Sequence, residues 1–466
     1  MADKPEKMRT ANKVVYGGET LIDLTADTVT PEALKKGVTA HAADGSRITG
    51  TMAPPEPVQE SDINFYDYDG TLLHAWSLEE LQGKTELPEL PTQPGLICQG
   101  WNWSLAGLKS TNRYMDVGAI YTPPNDATIY KITVPDNTQI QVNHSQSIAG
   151  MTSVDWGDGS PVEVMEGIGQ NIWHTYEQAG DYTITVTPIK EGVWTFAVSP
   201  SLGRWLNTVH IGGKINFAAY RIRESKFIEK LSIARGVTSI PEFFMSSGYS
   251  LKACVLPETV ISVADHIFYS CAAMQVVSLP ESMATLGAAS FQGCESLHSI
   301  CLPDAVSAIP SQFADGARNL LRFSGKKITQ VQMNAFRYSR RLKKIDAEFE
   351  LAEIASRAFS GMQILRELTI TGAYTAIPDY MISDGLLLDH FCVQNPVTSV
   401  GSNAFNGCAY IRYIDFSACI QVPTLANANA FSGTPSTMEI RVPAALVEEW
   451  KAATNWATYA DHIVGV

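Results

Sequence analysis

The chain has 466 residues, 45% of them apolar and only 18% charged, with a net charge of −14. That length exceeds one ordinary core and implies several domains or a repeat array, while plentiful Gly and Pro beside few charges favour a β-rich, turn-rich chain. The acidity excludes a general electrostatic footprint for nucleic acid or an anionic membrane, and it sits at the two ends: residues 206–443 hold 20 Lys and Arg against 19 Asp and Glu, which leaves 14 against 29 elsewhere.

The start, Met1-Ala-Asp-Lys-Pro-Glu-Lys, is charged and has no apolar stretch behind it. No signal peptide is expected, and no run reaches the length of a membrane-spanning helix. Residues 1–52, with "NKVVYGGETLIDLTADTVTPEALKKGVTAHAADGSRITGTM", resemble a short module near the start of tail proteins from phages and prophages of Gram-positive bacteria. The resemblance implies attachment to other tail or baseplate proteins. Ala53 to Asp62, "APPEPVQESD", reads as an extended, semi-rigid linker.

Residues 63–126 form a small β-rich domain that opens on "INFYDYDGTLLHAW". Asp67-x-Asp-Gly-Thr-Leu looks like the first motif of haloacid dehalogenase-type phosphatases. That chemistry needs Mg²⁺, a doubly wound α/β domain, a later Lys and a further acidic pair. The next 55 or so residues hold several prolines, no strand-helix alternation and no such pair. A hairpin with a two-residue Asp-Gly turn accounts for every residue instead, with Gly70 supplying the turn and Asp67 bonding the backbone. The segment also resembles the short domain that follows the N-terminal module in those tail proteins. In "GLICQGWNW", Trp101 and Trp103 would share one face of a strand, as core or as a sugar platform, with core preferred.

Residues 127–190 read as a β-sandwich. The alternation of "DYTITVTP" is a half-buried strand, and Gly157 and Gly159 permit the positive φ of a tight turn. "MTSVDWGDGS" and "HTYEQAGDYTITVTP" resemble the polycystic-kidney-disease (PKD) domain signature, which implies a core of Trp156, Tyr176 and Tyr182. Asp158 is expected to stabilise the turn rather than to ligate calcium.

From Leu251 a Leu-x-x-apolar-x-Leu pattern restarts at Met274, Leu297, Leu320, Leu342, Leu365, Leu388 and Ile411. A second ladder runs through Phe244, Phe268, Phe291, Phe313, Phe336, Phe359, Met381, Phe405 and Phe431. Each unit has too little apolar surface to fold alone, so stacking must build one continuous core. "LPETVISVADHIFYSCAAM" and "LPESMATLGAASFQGCESL" resemble the BspA-like class of bacterial leucine-rich repeats. The repeats from Leu320 and Leu342 lose its Leu-Pro and its Cys. The expected fold is multidomain and mainly β: small N-terminal modules, a PKD-like sandwich, and a solenoid of 22-23-residue units over 206–443. Residues 444–466, "AALVEEWKAATNWATYADHIVGV", are expected to form a capping helix after Pro443, with Leu446 and Trp450 on one face.

The eight cysteines include no Cys-x-x-Cys pair and fall at repeat positions, as structural thiols would. His144, His174, His210, His266, His298 and His390 are scattered, so neither a metal nor a cofactor is expected, and no enzyme constellation appears. Lys326, Lys327, Arg337, Arg340, Arg341, Lys343 and Lys344 cluster over two repeats, read as a solvated surface before an anion site. Specific binding belongs on the outward row of the repeat strands. Its first half, Ala253, Val255, Val276, Ser278, Ser299 and Cys301, is bland. The second half offers Arg322, Ser324, Lys344, Asp346, Glu367, Thr369, His390, Cys392, Tyr413 and Asp415, and is the expected ligand site. The expected function is a non-catalytic phage or prophage tail-fibre protein at the virion tail that reads a bacterial surface protein or glycan, with a homo-oligomer among the assemblies left open. The alternative is a BspA-like surface adhesin that binds host protein or glycan.

Overall fold

A computed structural model describes residues 13–16, 19–23, 39–41, 46–49, 59–146, 151–166, 170–189, 194–196, 198–217, 222 and 225–466. Met1–Gln59 and Glu60–Val466 are separate compact units. In the first, Lys13–Tyr16 pairs with Glu19–Asp23 and Thr39–His41 with Arg47–Thr49, both antiparallel. The rest of the tail-like module and residues 53–58 of the expected linker lie outside the described residues.

Past the linker, β1 (Ile63–Tyr66), β2 (Leu72–Trp76), α1 (Leu78–Gly83), β3 (Ile97–Trp101), α2 (Leu105–Thr111) and β4 (Met115–Thr122) form one unit with sheet order β2-β1-β4-β3. The two helices correct the expectation that no helix interrupts these strands. A local signal for the first was present: Ser77 and Glu80 cap α1 reciprocally, the Ser77 hydroxyl accepting from Glu80 N and the Glu80 carboxylate from Ser77 N. The hairpin is real, but its loop is longer than two residues. Asp67 O accepts from Gly70 N at 3.0 Å and Thr71 O from Asp67 N at 2.8 Å, a turn followed by Gly70 at φ +89°. Asp67 is buried, and its carboxylate accepts from Tyr68 N and from Gln93 Nε2. Trp101 and Trp103 are both core, although Trp103 lies beyond the end of β3.

The sandwich follows as β5 (Thr128–Val134), β6 (Thr138–Gln146), β7 (Met151–Asp155), β8 (Glu163–Glu166), β9 (Gln170–Tyr176), β10 (Gly180–Pro188), β11 (Trp194–Phe196), β12 (Leu206–Ile211) and β13 (Ile215–Phe217). One sheet has the order β9-β6-β11-β13. The other, β8-β7-β10-β5-β12, continues into the first repeat strand, β14 (Lys230–Ile233). Strand β12 is antiparallel to β5 and parallel to β14, so it joins the two architectures. The sandwich thereby covers the first end of the solenoid, and one apolar core runs unbroken from Tyr130 to Ile463. Asp158 acts in its turn, accepting from Ser160 N at 3.0 Å and pairing with His174 at 2.7 Å.

The repeat strands are β15 (Ala253–Val255), β16 (Val276–Ser278), β17 (Ser299–Cys301), β18 (Arg322–Val331), β19 (Lys344–Ile354), β20 (His390–Cys392), β21 (Tyr413–Asp415) and β22 (Glu439–Val442). Where Leu-Pro follows the strand, as at Pro257, Pro280 and Pro303, the chain turns away after three residues. No proline stops β18 and β19, which run on for 10 and 11 residues, although β20 and β21 end after three without one. The lost cysteine also has a physical sequel. Cys271 and Cys294 donate to the Met245 and Phe268 carbonyls at 3.0 and 3.1 Å, and Ser339 takes over this contact with Ala314 O at 2.8 Å.

The second ladder is more regular than its phenylalanines. Phe243, His266, Ala289, Gln312, Asn334, Arg357, Tyr380 and Asn403 all have φ between +52° and +59° and recur in the register of the leucines. The bulky residue then takes the first or the second position after this turn. Phe244, Phe313 and Met381 use the first; Phe268, Phe291, Phe336, Phe359 and Phe405 use the second. All eight are fully buried.

The C-terminal segment is not one helix. A short α3 (Val447–Ala452) and a 3-10 stretch, Trp456–His462, lead to β23 (Ile463–Gly465), which pairs parallel with β22. Trp450 and Trp456 are fully buried, their ring centroids 4.5 Å apart, against Phe416. They seal the last turn. Among the described residues no helix is long and apolar enough to cross a membrane.

Candidate functional site

Alternation in the repeat strands places their middle residues inside. Cys254, Val277, Ile300, Phe323, Phe391, Ile414 and Ile440 are buried in the solenoid core, and the residues on either side project from the front.

The first half of that front is covered by the chain itself. Strand β4 lies across β15 to β17, and Ala253, Val255, Val276, Ser278, Ser299 and Cys301 are all buried. The Asn102 amide donates to Leu256 O at 3.1 Å and to Ser278 Oγ at 2.9 Å, and Trp103 Nε1 donates to Leu279 O at 2.8 Å. Around the margin, Arg113 pairs with Asp304 at 2.6 Å and Lys230 with Asp69 at 3.0 Å. Within the contact Asp116 is fully buried, accepting from Ser299 Oγ, from Tyr114 Oη at 3.1 Å and from Asn64 Nδ2 at 3.3 Å. Burial pushes its carboxyl up to about 6, against the lowering by these donors. The bland half of the row is therefore an intramolecular interface.

Arg322 and Ser324, placed in the ligand half by sequence, belong to this covered half. Ser324 Oγ donates to Tyr114 O at 2.7 Å, and the Arg322 guanidinium lies over the Tyr114 ring at 4.8 Å. Beyond that edge the row is open. Lys344, Glu367 and Thr369 are exposed, and Asp346, His390, Cys392, Tyr413 and Asp415 are half-buried. Glu367 and Thr369 sit in a stretch that forms no strand, so the sheet is interrupted between β19 and β20.

Across β20, β21 and β22 the outward side chains form one stack. The His390 and Tyr413 rings are parallel at 5.0 Å, and the Arg441 guanidinium lies 3.7 Å from the Tyr413 centroid. Glu439 holds Arg441 at 2.8 Å. Beside the row, Asp389 binds Arg412 and, at 3.0 Å, His390; these two donors hold its carboxyl well below the usual range. Glu439 and Arg441 were missed in the sequence because the last step, from Tyr413 to Glu439, is longer than the rest. The alternation in "MEIRVP" marks them. An opening of about 450 Å³ lies beside Arg412, Tyr413, Glu439 and Arg441. The basic cluster is split: Lys326, Lys327 and Arg337 pair with Asp304, Glu350 and Asp315.

A family model for the BspA type leucine rich repeat region matches six copies over residues 216–343 and 313–438. Residues 216–438 are a BspA-type leucine-rich repeat region. The BspA-type array is also similar to solved structures. A leucine-rich repeat protein from Bacteroides ovatus is 17% identical over 69% of this chain and 99% of its own, with a TM-score of 0.35. One from Eubacterium ventriosum is 21% identical over 46% and 66%, with a TM-score of 0.32. A leucine rich cell surface protein from Faecalibacterium prausnitzii is 13% identical over 59% and 94%, with a TM-score of 0.28. None of the curated proteins compared with the chain matches it.

Proposed function

We propose that this chain is a non-catalytic recognition protein of the adhesin type, which binds a surface protein or glycan through the open half of its repeat row. One observation carries the reading. The chain buries the first half of its own front and leaves the second half uncovered, with His390, Tyr413 and Arg441 aligned across three adjacent strands. Side chains held in register on a rigid sheet lose little entropy on binding, which suits a contact surface. Binding of the purified chain to cells and to arrayed glycans tests this. Tyr413→Ala and Arg441→Ala should each weaken binding about tenfold, as truncated central anchors do, and Ile261→Asp, on the second-ladder side, should not. Tyr413→Ala and Arg441→Ala both silent would sink the reading.

A second reading makes the same surface the receptor-binding end of a phage or prophage tail protein, joined to other tail or baseplate proteins by residues 1–52. Its support is the separate compact unit Met1–Gln59 beside the resemblance of that segment. Recovery of tail or baseplate proteins by residues 1–59 from a phage lysate would favour it, and a neighbourhood of surface-anchoring genes would count against it.

A further inference from the structure

Between β19 and the stretch Arg366–Ile370 the solenoid opens at the front while staying closed behind. At the second ladder the stacking is continuous: Phe336 N donates to Ala358 O, Phe359 N to Met381 O and Gly361 N to Ser383 O at 2.7 to 2.9 Å. In front, neighbouring repeats are normally tied by bonds such as Leu321 N to His298 O at 2.8 Å, Lys343 N to Leu321 O at 3.0 Å and Arg412 N to Asp389 O at 2.8 Å. Among the described residues no backbone hydrogen bond joins Lys344–Phe349 to Arg366–Ile370, and pairing resumes only at Glu350 with Thr371. The core records the same parting, for Ile345 is half-buried where Phe323, Phe391 and Ile414 are fully buried.

The result is a slot of about 830 Å³, floored by Ile345, Ala347 and Leu368. Its lining carries Arg341, Lys343, Lys344 and Arg366 against Glu367, with Asp346 and Glu348 of β19 outside that lining. One wall is the free edge of a strand, a row of main-chain donors and acceptors spaced for another strand.

We infer that this slot takes up an extended, acidic segment of a partner protein, added as a strand beside β19. The inference rests on the reading of the open front as the binding face, and it specifies the ligand there as polypeptide. A strand satisfies the edge through its own main chain, sends alternate side chains onto the apolar floor and turns the others toward the rim. The four cations select carboxylates at those outer positions. A glycan would leave the strand edge unpaired and the floor unfilled.

The test uses the full chain and a capped ten-residue peptide of alternating Glu and Val. Fluorescence anisotropy should show binding, weakened about tenfold or more when alternate peptide nitrogens are methylated in either register, since this removes strand pairing. The Lys-Val counterpart, and the Glu-Val peptide on Lys343→Glu or Arg366→Glu, should lose about tenfold as well. Ala347→Phe should fill the floor and abolish binding. Hydrogen exchange should slow within Lys344–Phe349. Equal binding of the methylated peptides, equal binding of the Lys-Val peptide, or no binding of the Glu-Val peptide would each overturn the inference. The cell-binding loss expected of Tyr413→Ala is independent of these results, and Tyr413→Ala should leave peptide binding unchanged, so the two readings fail separately.

Discussion

Gly118 decides whether β4 can lie on the repeat strands. A Cβ built there falls 2.4 Å from both Cγ atoms of Val255 and 2.9 Å from its Cβ. Val255 is 3% exposed, so turning it drives a methyl into filled space. Gly118→Ala therefore forces β4 away from β15. Overpacking costs about 1 to 3 kcal/mol, and losing the Asn102 bond to Leu256 O or the Trp103 bond to Leu279 O adds about 1 kcal/mol. The expected loss is about 2 to 4 kcal/mol in denaturant unfolding.

The decisive measurement is a double-mutant cycle. Val255→Ala removes both opposing methyls and should recover about 1 kcal/mol or more of the Gly118→Ala loss, beyond additivity. Hydrogen exchange should meanwhile quicken in residues 63–122 and on β15 and β16. Additive effects, or a cost below about 0.5 kcal/mol for Gly118→Ala, would mean that the small unit is not held by this contact.

Asp116 should make stability pH-dependent: its carboxyl is raised from 3.8 to about 6, so its stabilising share is complete below pH 4 and is lost as pH rises through 6. The share is at most about 3 kcal/mol. His210, lowered by burial to about 4, works in the opposite sense over the same range. Melting from pH 4.5 to 7 should therefore be compared with Asp116→Asn, and parallel curves would refute the assignment. Trp450→Ala should cost about 3 to 5 kcal/mol and fray β22 and β23 first in hydrogen exchange. Asp67→Asn should leave Mg²⁺-dependent release of phosphate from a p-nitrophenyl ester at background, as in the parent chain; release that the substitution abolishes would restore the phosphatase reading.

The repeat register was legible because leucines at 251, 297, 320, 342, 365 and 388 cannot be buried except by stacking. The phenylalanine ladder was legible only approximately, since the volume at each turn is shared by two adjacent positions and its larger member alternates. The interruption near Glu367 left no mark, because "LRELTI" alternates like its neighbours. Nor did the docking of residues 63–122, which depends on surfaces 154 to 176 residues apart in sequence meeting in space. Ser77 with Glu80, by contrast, was a readable helix start.

Blandness in the first half of the repeat row acquires a cause from that docking. Left open, Ala253, Val255, Val276 and Cys301 would form an exposed apolar strip on a flat sheet, which solvent penalises and which invites association. Covered by β4, they stabilise the fold, and Gly118 supplies the close approach. The second half is under no such constraint. Lys344, Glu367 and Thr369 stand in solvent, and the His390, Tyr413 and Arg441 stack lies outside the apolar core that holds the solenoid together. Their alignment across adjacent strands is not required to fill the core, which is why the proposed function assigns them to ligand contact. Binding is proposed on the open half for that reason: the covered half is accounted for by its contribution to stability, and the open half is not.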